Sequence, residues 1–297
     1  MAEIGFIGAG NMGGPMVANL VGAGHAVTAF DVAEAACEAA RAAGAALAES
    51  SSDAAGAGDI VITMLPAGEH VRAVWLGDGG AIASARPGAL LIDCSTIDVE
   101  TARAVNGAAA DSGFEMLDAP VSGGIAGAEA AALTFMVGGT IAAFARAEPV
   151  LADMGRKIVH AGPAGNGQAA KICNNMILGI TMIGISEAFT LAERLGLEAR
   201  ALFDISSQAS GSCWAMLNHL PVAGIVETSA ANRDFRPGFS AAMMHKDLKL
   251  AEAAAGAAGA STPLGGHAAA LYGAFVEDGN GGLDYSAIIK LIAGGKG

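Results

Sequence analysis

The stretch EIGFIGAGNMGGPMVANLVGAGHAVTAFD, residues 3–31, restricts the fold more than any other part of the chain. An apolar run reads as a strand, and Gly8-x-Gly10-x-x-Gly13 follows it directly. A helical segment ending in glycine comes next, and a second apolar run closes on Asp31. Gly-x-Gly-x-x-Gly alone says little in a chain with 43 glycines. Its setting says more: a strand before, a helix after, and an acidic residue ending the next strand about 20 residues on, as a dinucleotide site requires. Gly8 permits the tight turn, Gly10 lets a pyrophosphate approach the backbone, and Gly13 lets helix and strand pack closely. Asn11 and Met12 complete the turn that would meet the cofactor. The helix N-terminus offers N–H groups and the positive end of its dipole to the phosphates. The alternative is a glycine-rich turn with no ligand.

Asp31 also selects the cofactor. A carboxylate accepts hydrogen bonds from both ribose hydroxyls of NAD and repels a 2′-phosphate. No arginine follows it in DVAEAA, so the expectation is NAD rather than NADP.

The alternation continues. DIVITML, ALLIDCS, FEMLDAP, ALTFMVGG and KIVHAG read as further strands between Ala-rich helical segments. Near-continuous apolar strands alternating with helices imply a parallel sheet covered on both faces. After HAGPAGNG a long helix is expected from Gln168 to Leu195, capped by Gly196, and strand signals then nearly vanish. The expected division is an α/β, NAD-binding domain over residues 1–163 and an all-α substrate and oligomerisation domain over 164–297. The segment from Asn218 to Gly238 is irregular, a long loop by composition.

Composition removes several function classes. The net charge of −13, with no basic patch, argues against a nucleic-acid partner. Six histidines and four cysteines show no metal-ligand spacing, so no metal is expected. The N-terminus lacks the basic start of a signal peptide. The uncharged run from Ile172 to Ile185 is shorter than the ~20 residues a membrane span needs. A soluble, cytoplasmic protein is expected.

Candidate chemistry falls at strand ends, where ligands gather in open α/β sheets. Met64, Leu65 and Pro66 follow one strand and Thr96 another; ordinary turns are the alternative. In DAPVSGG, Ser122, Gly123 and Gly124 expose a hydroxyl and backbone N–H groups that suit a carboxylate, though the stretch reads equally as a turn. In AAKICNNMILGI, Lys171 lies one helical turn from Asn174 and Asn175 in otherwise apolar sequence. It reaches water along its stem, lies on an exposed face, or sits in a cleft where desolvation disfavours the ammonium and yields a usable acid/base. The asparagines add donors and acceptors without charge. Lys246 and Asp247 are adjacent on a helical stretch, so their side chains should diverge by about 100°. One would then reach the active cleft while the other holds a neighbouring element; a solvated pair is the alternative.

Together GFIGAGNMGGPM, MLPAGEHV, LLIDCSTI, LDAPVSGGIAGAEAAALTFMVGG, GNGQAAKICNNMILGI, SGSCW, PGF and MHKDLKLA resemble the β-hydroxyacid dehydrogenase family over nearly the whole chain. The resemblance implies an N-terminal Rossmann-type, doubly wound α/β sheet followed by an all-α domain entered through a long interdomain helix, with the cleft between them. It implies that Ser122 and Gly123, with Gly124, receive a substrate carboxylate, that Lys171 is the acid/base supported by Asn175, and that Thr96 and Lys246 help close the site around cofactor and substrate. Asn174, within KICNN, and SGSCW favour the hydroxyisobutyrate branch over the tartronate semialdehyde reductases. The implied reaction is NAD-dependent oxidation of 3-hydroxyisobutyrate to methylmalonate semialdehyde, a step of valine catabolism. Trp214 and Phe239 are then candidates for the wall around the substrate methyl, and Asp247 joins the substrate-binding set. Homodimers or homotetramers are implied, with a small 3-hydroxy acid as substrate and neither nucleic acid nor membrane as partner. The alternatives are a reductase of tartronate, glyoxylate or succinate semialdehyde, or a non-catalytic NAD-binding protein. One departure stands out: Ala131-Ala132-Leu133 replaces the family's common Gly-Thr-Leu.

Overall fold

The computed structural model describes residues 1–294. The chain forms two compact units, Met1–Lys171 and a second beginning at Ile172.

The first unit alternates strands and helices: β1 (Glu3–Ile7), α1 (Gly13–Gly22), β2 (Ala26–Phe30), α2 (Glu34–Ala42), β3 (Ala46–Leu47), α3 (Ser51–Gly56), β4 (Ile60–Thr63), α4 (Gly68–Leu76), α5 (Ala81–Ser84), β5 (Leu90–Asp93), α6 (Val99–Asp111), β6 (Glu115–Asp118), β7 (Val121–Ser122), α7 (Gly124–Glu129), β8 (Leu133–Gly138), α8 (Ile141–Ala152) and β9 (Gly155–Gly162). They build one nine-stranded sheet ordered β3-β2-β1-β4-β5-β6-β8-β7, with β9 on β8. Its central strands carry apolar residues on both faces, as a doubly covered sheet demands. Ile62 and Ile92 point into the core around Phe6, Leu20 and Phe135. Their neighbours Val61 and Leu91 point the other way, against Trp75.

β1 to β6 are parallel, as expected. The sheet as a whole is not: β8 runs antiparallel to both β6 and β7. For β7 and β8 the reason is connection length. Residues 123–132, which contain only the short α7, are too few for the crossover of a dozen or more residues that a parallel pair requires. Ala131, at the departure from the family pattern, has φ +50°. That left-handed conformation is one glycine adopts without cost, which accounts for the glycine usual there.

α9 (Asn166–Arg194) begins in the first unit and continues into the second. There follow α10 (Ala199–Ser206), α11 (Trp214–His219), α12 (Ala241–Ala258), α13 (Pro263–Phe275) and α14 (Ile289–Ile292). Among the described residues the second unit has no strand, only an isolated bridge between Ser240 and Asp284. Its core gathers Met182, Phe189, Met244, Leu248, Tyr272 and Phe275. The irregular stretch after α11 is tethered rather than loose. Asp284 Oδ1 lies 2.7 Å from His219 Nε2, and its Oδ2 accepts the Gly238 N–H at 3.1 Å. Burial pushes the Asp284 carboxyl up, but the bonds from His219 and Ser286 outweigh it and hold the group below the usual carboxylate range.

At 29 residues, α9 is long and apolar enough by length and composition to cross a membrane. The uncharged run Ile172 to Ile185 is the part of this helix that lies between Lys171 and Glu187. In this structure 44% of its most apolar 18-residue window is buried inside the protein, and core helices of water-soluble folds meet the same length and composition criteria.

Candidate active site

The order β3-β2-β1-β4 reverses direction between β1 and β4, the point where open α/β sheets bind ligands beyond their strand ends. Gly8 and Met64 meet there. Gly8 has φ +97°, and a Cβ on it would stand 2.3 Å from the Met64 carbonyl oxygen. A Cβ on Gly13 would stand 1.9 Å from the Gly8 carbonyl oxygen. The protein itself therefore requires both glycines. Gly10 differs, because a Cβ there would meet no atom within 4 Å. Close approach by a ligand gives glycine at that position a purpose that packing does not. No side chain caps α1 at Met12, so the positive end of its dipole is not offset by a side-chain cap. Asp31 follows β2, and its Oδ1 accepts the Ala33 N–H at 2.8 Å, which fixes the carboxylate at the strand's end. These residues fit a dinucleotide.

The loops after β4 and β5 are joined beneath the surface. The Leu65 N–H donates to Ser95 Oγ at 2.8 Å, and Ser95 Oγ donates to Asp93 Oδ1 at 2.5 Å. Thr63 Oγ1 donates to the same oxygen at 2.7 Å and accepts from Trp75 Nε1 at 3.1 Å. Asp93 is buried, and its Oδ2 has no hydrogen-bond partner. Burial raises this carboxyl to about 6, against the pull of the Ser95 and Thr63 bonds.

Gln168 is fully buried and brackets Thr96. Its Nε2 donates to the Ser95 carbonyl at 2.7 Å, and its Oε1 accepts the Ile97 N–H at 3.1 Å. Asp118, at the end of β6, caps the start of α9. Its two oxygens accept the N–H groups of Gly165 at 2.7 Å and Gln168 at 3.0 Å. Burial raises the Asp118 carboxyl, and these amides restrain the rise. The sequence reading singled out none of Asp93, Asp118 or Gln168. The available signals were a carboxylate ending each of two apolar strands and a glutamine one turn before Lys171.

Lys171 is 7% exposed, which rules out the solvated-face reading. Asn175, one turn further along α9, is buried, and both ends of its amide are engaged. Its Nδ2 donates to Asp247 Oδ2 at 2.5 Å, and its Oδ1 accepts from Asn174 Nδ2 at 3.0 Å. Lys246 and Asp247 do not diverge as expected, because Lys246 Nζ lies 3.5 Å from Asp247 Oδ1. The Cβ directions differ, but a four-carbon stem is long enough to bring the ammonium back.

Ser122 is paired with Thr134 across β7 and β8, and the chain turns sharply after it, with φ +139° at Gly123 and +63° at Gly124. Phe239 packs edge-on against Tyr285, with ring centroids 5.9 Å apart. Trp214 opens α11 with 61% of its surface exposed, so it does not serve as core packing for its unit.

Two family models match most of the chain. The NAD-binding domain of 6-phosphogluconate dehydrogenase matches residues 3–162, and the NAD-binding model of NADP-dependent 3-hydroxyisobutyrate dehydrogenase matches residues 165–292. A probable 3-hydroxyisobutyrate dehydrogenase of Mycobacterium tuberculosis is 54% identical over 292 residues, 98% of each chain. The NAD-dependent L-serine dehydrogenase of Pseudomonas aeruginosa is 47% identical over 292 residues, again 98% of each. A solved structure of Mycobacterium tuberculosis 3-hydroxyisobutyrate dehydrogenase with L-serine aligns at TM-score 0.94 and 53% identity, covering 98% of this chain and 99% of that one.

Proposed function

Because the chain belongs to the 3-hydroxyisobutyrate dehydrogenase family of NAD-dependent β-hydroxyacid oxidoreductases, we propose that it oxidises 3-hydroxyisobutyrate to methylmalonate semialdehyde, with Lys171 as acid/base. The observation that carries this reading is the burial of Lys171 one turn beyond Gln168, whose side chain grips the loop at Thr96. Gly8, Gly10, Asn11, Met12, Gly13 and Asp31 would hold NAD, with Met64, Leu65, Pro66 and Thr96 lining the strand ends beside it. NAD, when bound, supplies the hydride acceptor.

Ser122 contributes a hydroxyl, and Gly123 and Gly124 contribute backbone N–H groups, to receive the substrate carboxylate. The base in this reading is Lys171 in its neutral, amine form. That amine removes the substrate's hydroxyl proton as hydride leaves the same carbon, giving the aldehyde and a protonated Lys171. In the reverse direction the ammonium returns that proton to the forming alkoxide. Asn175 is uncharged, so it polarises the surroundings of Lys171 without an added charge that would favour the ammonium. The same reading places the enzyme in the cytoplasm, in valine breakdown, as a homodimer or homotetramer.

The relative named as an NAD-dependent L-serine dehydrogenase, and the solved structure with L-serine, favour a second reading, in which the preferred substrate is L-serine, an ammonium replacing the methyl. Initial rates on 3-hydroxyisobutyrate, L-serine and 3-hydroxypropionate, each with NAD and NADP, separate the two. The highest kcat/KM is expected for 3-hydroxyisobutyrate, with 3-hydroxypropionate about 10- to 200-fold lower for the missing methyl. A higher value for L-serine would transfer the assignment to it. In the same panel NAD should far outperform NADP because of Asp31; equal efficiency would remove that residue's role.

A further inference from the structure

We propose that Gln168 is the positioning residue that sets Lys171 against the loop at Thr96. The inference rests on the reading of Lys171 as acid/base. Both polar ends of the Gln168 side chain go to backbone, one to the Ser95 carbonyl and one to the Ile97 N–H. One partner must accept and the other must donate, so the amide has a single orientation. Among side chains of that length, only a protonated glutamic acid also carries a donor and an acceptor side by side.

The backbone of the same residue is fixed too, because its N–H and that of Gly165 end on Asp118. The first turn of α9 is thus tied to the end of β5 by a side chain and to the end of β6 by main-chain amides. Ser95 extends the tie through its hydroxyl to Leu65 and Asp93. Lys171 leaves the helix three residues later, on the same side. A slide or rotation of that turn therefore moves the lysine stem relative to Thr96. Reactive geometry is intolerant of such shifts, since a misplacement of about 1 Å can cost about 100-fold in rate. Gln168 touches no reacting group and acts through Lys171.

The test uses the full-length enzyme carrying Gln168→Leu, Gln168→Glu or Lys171→Ala. Gln168→Leu should lower kcat per folded site about 10- to 100-fold. KM for NAD should change far less than kcat, because the glycine turn and Asp31 are untouched and only the loop at Thr96 is loosened. The deuterium isotope effect on kcat, with substrate labelled at the reacting carbon, should rise as hydride transfer becomes slower. Gln168→Glu is assayed in the reductive direction over a pH series. Its turnover relative to the parent should recover as pH falls, because the buried carboxyl regains its proton and with it one donor and one acceptor. The titratable groups around it are Asp118, Asp93 through Ser95, and Lys171. Gln168→Leu over the same series separates their titration from that of the new carboxyl.

Parent-like kcat in folded Gln168→Leu would overturn the proposal, as would lost kcat with an unchanged isotope effect. If the leucine variant fails to fold, the pH recovery of Gln168→Glu decides, and a flat ratio counts against the clamp. Lys171→Ala keeps the two claims apart. Parent-like turnover there overturns the acid/base reading, whereas its loss beside normal turnover in Gln168→Leu overturns only the role of Gln168.

Discussion

Lys171→Ala should reduce turnover by about 10²- to 10⁴-fold while leaving NAD binding intact. In activation free energy that is about 3–5 kcal/mol. The expectation follows from placement. The lysine is buried, with 7% of its surface exposed. It stands one turn from the residue that grips the loop after β5. The glycine turn and Asp31 are separate side chains in separate elements, so titration of the variant with NADH should give a dissociation constant close to the parent's. Removing the stem also leaves a hollow, and Lys171→Met, which retains most of the stem's volume, separates lost packing from lost chemistry. Both variants should be slow. Turnover near the parent's in either folded variant would mean that some other group carries the proton. Partial recovery of the alanine variant by added small primary amines would strengthen the assignment.

The sequence disclosed the elements built from long apolar runs and hid those whose basis is elsewhere. β1, β2, β4, β5, β6, β8 and β9 all coincide with apolar runs bounded by glycine, proline or a polar residue. β3 is only Ala46–Leu47, two residues that hold a strand because β2 lies beside them. The reversal at β8 was hidden because apolar alternation reports burial and not strand direction. The glycine turn could be read because each glycine there answers a geometric demand.

The polar framework could not be read in the same way. Asp93 and Asp118 look like ordinary strand-end carboxylates in LLID and EMLD, and their roles depend on amides and hydroxyls from distant segments. Gln168 looks like any polar residue in a first turn until β5 is brought against it. Lys246 and Asp247 misled because backbone geometry predicts where a Cβ points and not where a four-carbon stem ends.

Asp93→Asn should stabilise the protein at neutral pH and flatten its stability profile between about pH 4 and 6. Asp93 Oδ1 accepts from Thr63 Oγ1, Ser95 Oγ and the Ser95 N–H, at 2.7, 2.5 and 3.2 Å. An asparagine oxygen can accept the same three. What it removes is the charge of a buried group whose Oδ2 has no partner. Burial lifts the carboxyl from its ordinary 3.8 to about 6 in the folded chain. The folded state therefore holds this proton more tightly than the unfolded state. The stability this linkage confers is fully present below the unfolded value near 3.8 and is lost as pH rises through about 6. A shift of that size corresponds to about 3 kcal/mol, or about 6–12 °C in thermal midpoint for a unit of this length. The variant and the parent should thus melt close together near pH 4, separate in favour of the variant through pH 6, and stay apart above pH 7. Asp118, also raised by burial, titrates in both proteins and largely cancels in the difference, apart from the repulsion that Asp93 adds. A gap that is constant with pH, or that widens toward acid, would show that the Asp93 carboxylate is welcome where it is buried.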